Sequence, residues 1–463
     1  VTWLVVLLLT IAASPAKDEQ TGVVSDTATL QSTIVMEIGS NIFRSMEVGS
    51  GSHPFFRSIL PRGAVEEHRR FLRILQQQGV EVLDVAGLLD SAIREARRQG
   101  ALTEWIRTTF PATADRILER IDEVDADSVL NRRKEHFYVR EPDGGIQPLF
   151  PGISSMYWSR DFAISTPRGI IIGNGRHYNR KIENSIARLI FRFAPEVKRF
   201  PIAFDAAREN VLLDGGDTIV LDEKTLLLGV GNRSSREAAA LLARKLNMDV
   251  LAVNMPPGPQ SGVHRLLLHL DTICNLVDRK TVLAVPYFLE KEWVDRNPLK
   301  PILTGLAAQV RKMQETDEKT NFGDPEALEK TITQAREIGW VTRYQAGTGE
   351  PVKLGEKLVD YFRRSGYRIV YVGGIHPGEG DIEPFLEKAL YELRWQGANV
   401  VQLGPGKVIA FEHNVLTNQA LRDAGIEVIT FPGGLLSIRG GGPHCLLMPL
   451  VRFDEHRGAG DSK

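Results

Sequence analysis

Two widely separated stretches of the chain repeat one pattern of apolar and polar positions. In the first, the apolar run Thr218-Ile219-Val220-Leu221 and a second run over 225–230 flank a polar turn, Asp222-Glu223-Lys224. A helical spacing follows over 234–246, and another short apolar run over 249–253. In the second, 399–403 and 407–411 flank Gly404-Pro405-Gly406, with helical spacing over 414–424 and an apolar run over 426–431. Each stretch predicts hairpin, helix, strand within about 35 residues, the size of one repeated module. The helical pattern from Val65 to Leu75, stopped by Gly79 and followed by the alternating Val80-Glu81-Val82-Leu83-Asp84-Val85, matches the tail of a further copy. Such a unit cannot bury its faces alone, and a closed ring of them leaves no unburied end.

The remaining segments depart from this rhythm. Residues 88–136 read as a helical insertion, with Ala92, Ile93, Leu102 and Ile106 on apolar faces and Pro111 as a break. Residues 140–151, carrying Pro142-Asp143-Gly144-Gly145, read as a loop. Residues 287–354 read as a peripheral insertion of charged helical sequence, with loops at Asn321-Phe322-Gly323-Asp324-Pro325 and Gly347-Thr348-Gly349. Near the N-terminus an almost unbroken apolar run from Trp3 to Ala13 precedes Ser14-Pro15-Ala16 and the charged Lys17-Asp18-Glu19. It is too short to span a bilayer comfortably and ends in small residues, so 1–30 are expected to be a signal peptide and a disordered lead segment. Residues 31–463 are expected to form one α/β domain containing both insertions. The protein is then exported, to the periplasm or outside, if that segment is a signal peptide, and cytoplasmic otherwise.

Composition narrows the partners. Of 463 residues, 57 are Lys or Arg and 58 Asp or Glu, a net charge of -1 with no long block of one sign. That excludes the basic footprint of a nucleic-acid binder and gives no reason to expect a stable membrane partner. A small molecule is the expected ligand, and homo-oligomerisation is left open. The two cysteines, Cys274 and Cys445, are too few for a disulfide framework.

The chemistry gathers around the second cysteine. Arg439-Gly440-Gly441-Gly442-Pro443-His444-Cys445 ends a glycine run on a thiol, which presents the sulfur where a flat substrate can approach. Taken alone, it reads better as a glycine turn before a small buried hydrophobe, because a single thiol without a partner base is weak evidence of a nucleophile. Four other motifs carry acids, bases or cations at loops or strand ends. Trp158-Ser159-Arg160-Asp161 leads into a strand region, and Asp214-Gly215-Gly216-Asp217 opens the first hairpin. His269-Leu270-Asp271-Thr272 follows an apolar run, with His269 and Asp271 expected on the same side of a strand. Gly229-Val230-Gly231-Asn232-Arg233 closes a strand before a helix. It resembles half of a dinucleotide fingerprint but lacks the third glycine, so a nucleotide-binding oxidoreductase rests on little. A turn explains the acids individually, and a core position explains the histidine. Together, a thiol, an imidazole and several carboxylates suit nucleophilic attack on a planar cationic carbon, for which guanidinium is the obvious candidate.

These residues bring a known family into view. From about Ala64 to Asp454 the chain resembles the arginine deiminases of the guanidino-group modifying, or amidinotransferase, superfamily. The resemblance rests on Glu66-Glu67-His68, Trp158-Ser159-Arg160-Asp161, Asp214-Gly215-Gly216-Asp217, His269-Leu270-Asp271-Thr272 and the glycine-led His444-Cys445. It implies a five-bladed α/β propeller of pseudo-symmetric ββαβ units with a helical insertion. It also implies hydrolysis of arginine to citrulline and ammonia through a covalent amidino intermediate on cysteine. Carried over by motif, Cys445 is the nucleophile and His269 the general acid/base, with Asp161 and Asp271 holding the guanidinium nitrogens. Asp214 and Asp217 flank that site, while Arg233, Arg180 and Arg439 are candidate clamps for the substrate carboxylate. No cofactor or metal is implied, because the thiolate supplies the nucleophile and the substrate its own charge. Three positions depart from the family pattern. Asp214 stands where a glutamate is usual, Ser155 where deiminases place an asparagine, and Pro443 lengthens the loop before Cys445. The alternatives within enzymes are an amidinotransferase or a methylarginine hydrolase; a non-catalytic binding protein on the same propeller is the alternative of another class.

Overall fold

The computed structural model describes residues 22–38, 62–131, 138–140, 142–151, 153, 155–256, 267–316, 324–375 and 382–454. The expected signal-peptide core and the Asn321-Phe322-Gly323 part of the expected loop lie outside them. The fold is mixed α/β. The two modules read from the apolar pattern form as expected: Thr218–Asp222 pairs antiparallel with Thr225–Val230, and Asp249–Asn254 returns parallel to the latter after the helix Arg236–Leu246. Likewise Val401–Gly404 and Lys407–Phe411 form a hairpin, Val415–Asp423 a helix and Glu427–Phe431 the parallel third strand.

The same wiring occurs three more times. Ala163–Thr166, Gly169–Ile172 and Ile202–Asp205 form one such sheet around the helix Tyr178–Phe193. Cys274–Asp278, Thr281–Ala284 and Arg368–Tyr371 form another. In the fifth, Met448–Arg452 pairs antiparallel with Leu30–Val35, and Glu81–Asp84 joins the latter in parallel after the helix Gly63–Gln77. The two ends of the described chain therefore complete one sheet between them.

Local sequence accounts for each piece. Thr225–Val230 lies between two partners and is buried on both faces after its first residue, so it reads as a continuous apolar run rather than an alternation. Helix Arg236–Leu246 buries Ala238, Ala239, Leu242, Ala243 and Leu246 on one stripe. The Ser235 hydroxyl caps its N-terminus by accepting from the Ala238 N–H, and Asn247, left-handed at φ 52°, ends it. Truncating Leu242, which is fully buried, would cost about 2–5 kcal/mol.

Four expectations change in the fold. Residues 22–30, expected within the disordered lead segment, are ordered, with Val23, Asp26, Ala28 and Leu30 buried and a strand beginning at Leu30. Residues 140–151 are not simply a loop. Tyr138–Arg140 and Ile146–Pro148 pair antiparallel, and the turn signal marks the hairpin's tip, where the Asp143 carboxylate accepts from the Gly145 N–H. The helical segment begins at Val85, because Asp84 ends a strand and also caps the next helix through Ala86 and Gly87. Residues 287–354 do not lie outside throughout: Tyr287, Phe288, Leu289 and Trp293 are buried in the core. Trp340–Tyr344 and Pro351–Lys357 extend the Thr218–Asn254 sheet to five strands, leaving the helices Leu299–Glu315 and Pro325–Glu337 packed on one another.

A buried ion pair fastens the first described segment to the middle of the chain. Arg160 Nη2 lies 3.2 Å from Asp26 Oδ2 and donates to the Thr218 carbonyl at 2.6 Å. Arg452, fully buried, donates to the Ala28 carbonyl at 2.9 Å. Among the described residues no helix is long and apolar enough to cross a membrane.

Candidate active site

Among the described residues, four of the five repeated sheets are entered through a 3-10 turn, and those turns carry the chemistry. Ser159–Asp161, Gly215–Asp217, Leu270–Thr272 and Pro443–Leu446 each stand just before the first strand of a unit. In the remaining unit Asn399 occupies that place. The turns are linked in succession. Gly216 N–H donates to Asp161 Oδ1 at 2.8 Å, Leu270 N–H to Asp217 Oδ1 at 3.1 Å, and Asn399 Nδ2 to the Asp271 carbonyl at 3.2 Å. Cys445 N–H donates to Asn399 Oδ1 at 3.2 Å, and the Pro443–Leu446 turn packs against Ser159–Asp161. The circuit gathers Cys445, His269, Asp161, Asp271, Asp214 and Asp217, which the sequence holds far apart.

His269 and Asp271 do not share the side of a strand, because Leu270–Thr272 is a 3-10 turn. The Thr272 hydroxyl donates to the His269 carbonyl at 2.6 Å and holds that turn. The two side chains consequently meet different partners. The imidazole of His269 has Nε2 3.3 Å from Asp214 Oδ2 and Nδ1 3.9 Å from Asp161 Oδ1. Asp271 Oδ2 instead accepts from His444 Nδ1 at 2.9 Å and from the Cys445 thiol at 3.5 Å.

Close approach explains two of the glycines. A Cβ on Gly216 would stand 2.5 Å from His269 Nδ1, and one on Gly442 would stand 2.6 Å from Asn399 Oδ1. Only a residue without a side chain lets the imidazole and the amide reach these positions.

The electrostatics are set by burial against a concentration of carboxylates. Cys445 is 7% exposed, and burial, reinforced by Asp271 and Asp161, pushes its thiol well above the ordinary range. Asn399 Nδ2, 3.3 Å from Sγ, works the other way by donating to the sulfur. Burial opposes charge on His269, but Asp161, Asp214 and Asp217 prevail and raise it to about 9. Burial lifts Asp217 to about 7 against the pull of His269 and the hydroxyl of Ser234. Asp161 is also buried, yet Arg180 and His269 outweigh that and hold it below the usual carboxylate range. The free site at neutral pH thus pairs a protonated thiol with an imidazolium.

The three cations stand differently from one another. Arg233 Nη1 is 3.7 Å from Asp214 Oδ2 and remains partly exposed. Arg439 is half-buried with its guanidinium 6.0 Å over the Tyr157 ring. Arg180, expected as a clamp for a substrate carboxylate, turns inward: Nη2 lies 2.7 Å from Asp161 Oδ2 and Nη1 2.7 Å from Glu183 Oε2. Helical spacing accounts for the second contact, since residues three apart on Tyr178–Phe193 share a face.

Four contributors went unassigned in the sequence. Asn399 holds both the sulfur and the backbone of Cys445. His444 binds Asp271, and Glu183 binds Arg180. The Ser234 hydroxyl donates to Asp217 Oδ2 at 2.7 Å and accepts from the Asp214 N–H at 3.1 Å, fixing the acidic turn. A signal existed for Asn399, which occupies in its module the place that carries Asp214–Asp217 in the first. Among the described residues, no group of three or more His, Cys, Asp or Glu side chains is arranged to hold a metal ion.

The arginine deiminase of Metamycoplasma hominis is 24% identical over 450 residues, covering 93% of this chain and 96% of its own. That of Mycobacterium tuberculosis is 26% identical over 415 residues, covering 84% and 88%. Among solved structures, an amidinotransferase of saxitoxin biosynthesis from Microseira wollei aligns with 95% of this chain and 98% of its own, at 14% identity and a TM-score of 0.49. The family model for arginine deiminase matches residues 101–452, well over half of the 463 residues, and the chain belongs to the arginine deiminase family.

Proposed function

We propose that the protein hydrolyses the guanidino carbon of L-arginine, giving L-citrulline and ammonia, with Cys445 as nucleophile and His269 as acid and base. The observation that carries this reading is that a single carboxylate, Asp161, acts on both groups: it lies 3.9 Å from His269 Nδ1 and helps raise the Cys445 thiol. A thiol kept protonated by surrounding acids is a poor nucleophile until a cation arrives among them. Binding of a guanidinium between Asp161 and Asp271 lowers the thiol's pKa, and the thiol proton leaves to solvent as substrate enters. Sγ then bonds to the guanidino carbon, and the His269 imidazolium gives its proton to the departing nitrogen as the C–N bond breaks and ammonia forms. The neutral imidazole takes a proton from water, whose oxygen bonds to the amidino carbon; the C–S bond then breaks to release the thiolate, and the remaining O–H proton is lost to solvent as the carbonyl of the ureido product forms.

The five sheets are read as blades of a propeller with the turns at one end. The common wiring and the successive links between turns support that arrangement. An amidinotransferase or a methylarginine hydrolase would use the same residues and differ in acceptor or substrate. The test is incubation of purified protein with arginine, agmatine and methylarginine, followed by assay of ureido product and ammonia, repeated with Cys445→Ser. Citrulline from arginine without any added amine, abolished in the variant, is expected. Turnover that requires an amine acceptor, or that survives in the variant, contradicts the reading.

A further inference from the structure

The motif Glu66-Glu67-His68 takes no part in the chemistry described above, yet its middle residue reaches the loop that leads into that chemistry. On the helix Gly63–Gln77, Glu66 pairs with Arg73 at 2.6 Å on the surface, and His68 is fully buried. Glu67, between them, crosses to the segment before Arg439. Its carboxylate accepts from the Leu435 N–H, at 3.0 Å to Oε2 and 3.3 Å to Oε1, and from the Leu436 N–H at 3.0 Å. These amides open a helical turn, where N–H groups find no partner within the turn itself. The turn is closed by the Ser437 N–H on the Gly433 carbonyl at 2.9 Å and the Gly440 N–H on the Ser437 carbonyl at 2.8 Å. The same helix touches this segment twice more. A Cβ on Gly63 would stand 2.6 Å from Leu435 Cδ1, and the Phe71 ring stacks on Phe431 at 5.3 Å.

We propose that Glu67 is a positioning residue for substrate binding: by capping this turn from a distant part of the chain, it holds Arg439 at the site without setting the reactivity of Cys445. Charge-assisted hydrogen bonds to one carboxylate fix the start of the turn, and Arg439 ends it three residues after Leu436. Without Glu67 those two amides turn to water, and the turn unwinds from its first residue. The displacement stops short of the thiol for two reasons. Gly440, left-handed at φ 86°, begins a glycine run that flexes freely, and Cys445 has its own holder in Asn399. This inference rests on the reading of Arg439 as a clamp for substrate, and adds the residue on which that clamp depends.

Three measurements on Glu67→Ala, Glu67→Gln and Glu67→Asp, each with an unfolding curve, test it. Hydrogen exchange of the peptide 432–439 should quicken by about ten- to a hundredfold in Glu67→Ala, the worth of a hydrogen bond to a charged group. Glu67→Gln, which keeps an accepting oxygen, should fall between, and Glu67→Asp, shorter by one methylene, should follow Glu67→Ala. Arginine binding, measured by calorimetry in a Cys445→Ser background, should weaken by about tenfold or more in Glu67→Ala. Alkylation of Cys445, measured with the thiol in place, should stay within a few-fold of wild type. Where Glu67→Ala unfolds, the same series is read from Glu67→Gln and Glu67→Asp. Unchanged exchange overturns the inference, as does quickened exchange with unchanged arginine binding. Alkylation altered as much as binding overturns it too, because a general loosening would then explain both. A wild-type chain that binds no arginine counts against the proposed function, and the exchange series still decides whether Glu67 holds the turn.

Discussion

Asn399 grips Cys445 from two directions: Nδ2 lies 3.3 Å from Sγ, and Oδ1 accepts from the Cys445 N–H at 3.2 Å. One amide thus fixes where the sulfur stands and donates to it, alongside the Gly442 backbone. A donor to a thiolate favours the ionised form.

Replacing Asn399 with alanine should slow turnover by about ten- to a hundredfold, the worth of a hydrogen bond to a charged group. The KM for arginine should move less than turnover, since Asn399 meets Asp271 only at its backbone carbonyl and not at the carboxylate proposed to hold the guanidinium. Thiol alkylation followed against pH should show the Cys445 transition displaced upward; an unmoved transition with normal turnover would deny Asn399 this role.

Asp271→Asn should split reactivity from catalysis. Burial is the main reason the Cys445 thiol is hard to ionise, and Asp271 is the leading charge that adds to it. Removing that charge should speed alkylation at neutral pH by about tenfold for each pKa unit recovered. Turnover should fall, because a guanidinium loses a proposed partner. Cys274 is fully buried and does not compete for the reagent. Alkylation slower than wild type is the outcome this reasoning forbids.

Gly216→Ala should displace the imidazole of His269 while sparing the thiol. The added methyl would stand 2.5 Å from Nδ1, and the ring is walled in by Asp161 and Asp214. Turnover should drop by about a hundredfold, as expected for misplacement of a reacting group by an ångström. The alkylation rate of Cys445 should stay within a few-fold of wild type, and near-normal turnover would mean the imidazole has more room than its neighbours allow.

The raised pKa of His269 makes a prediction about stability. Its value rises from 6.5 in the unfolded chain to about 9 in the fold. The native state therefore holds the proton more tightly, and that contribution is complete below 6.5 and lost as pH climbs through about 9. Thermal melts across this interval should show a decline on the order of a few kcal/mol in unfolding free energy that His269→Gln lacks. Parallel profiles for the two proteins would place the imidazole outside the carboxylates' influence.

The sequence and the fold agree best where burial is simplest. Thr225–Val230 and Lys407–Phe411 were legible because strands covered on both faces leave apolar runs, and Asp222-Glu223-Lys224 and Gly404-Pro405-Gly406 punctuate them. Tyr138–Arg140 and Ile146–Pro148 were not, since three residues a side are too few to show a period. His269 and Asp271 were misplaced for a physical reason: a spacing of two mimics a strand, and nothing in the spacing shows that the Thr272 hydroxyl will close a turn instead. The acids and the thiol were found by residue type. What spacing cannot convey is pairing, so Arg180 was visible as a cation but its partner Asp161, 19 residues earlier, was not visible as its partner.

The most direct measurement is a rapid acid quench of the protein during turnover of arginine, with the modified peptide located by mass spectrometry. An adduct equal to arginine less ammonia, carried by Cys445 and appearing and decaying in step with citrulline formation, is the predicted result. Citrulline formed with no adduct on Cys445, or with the adduct on another side chain, would contradict the proposed chemistry.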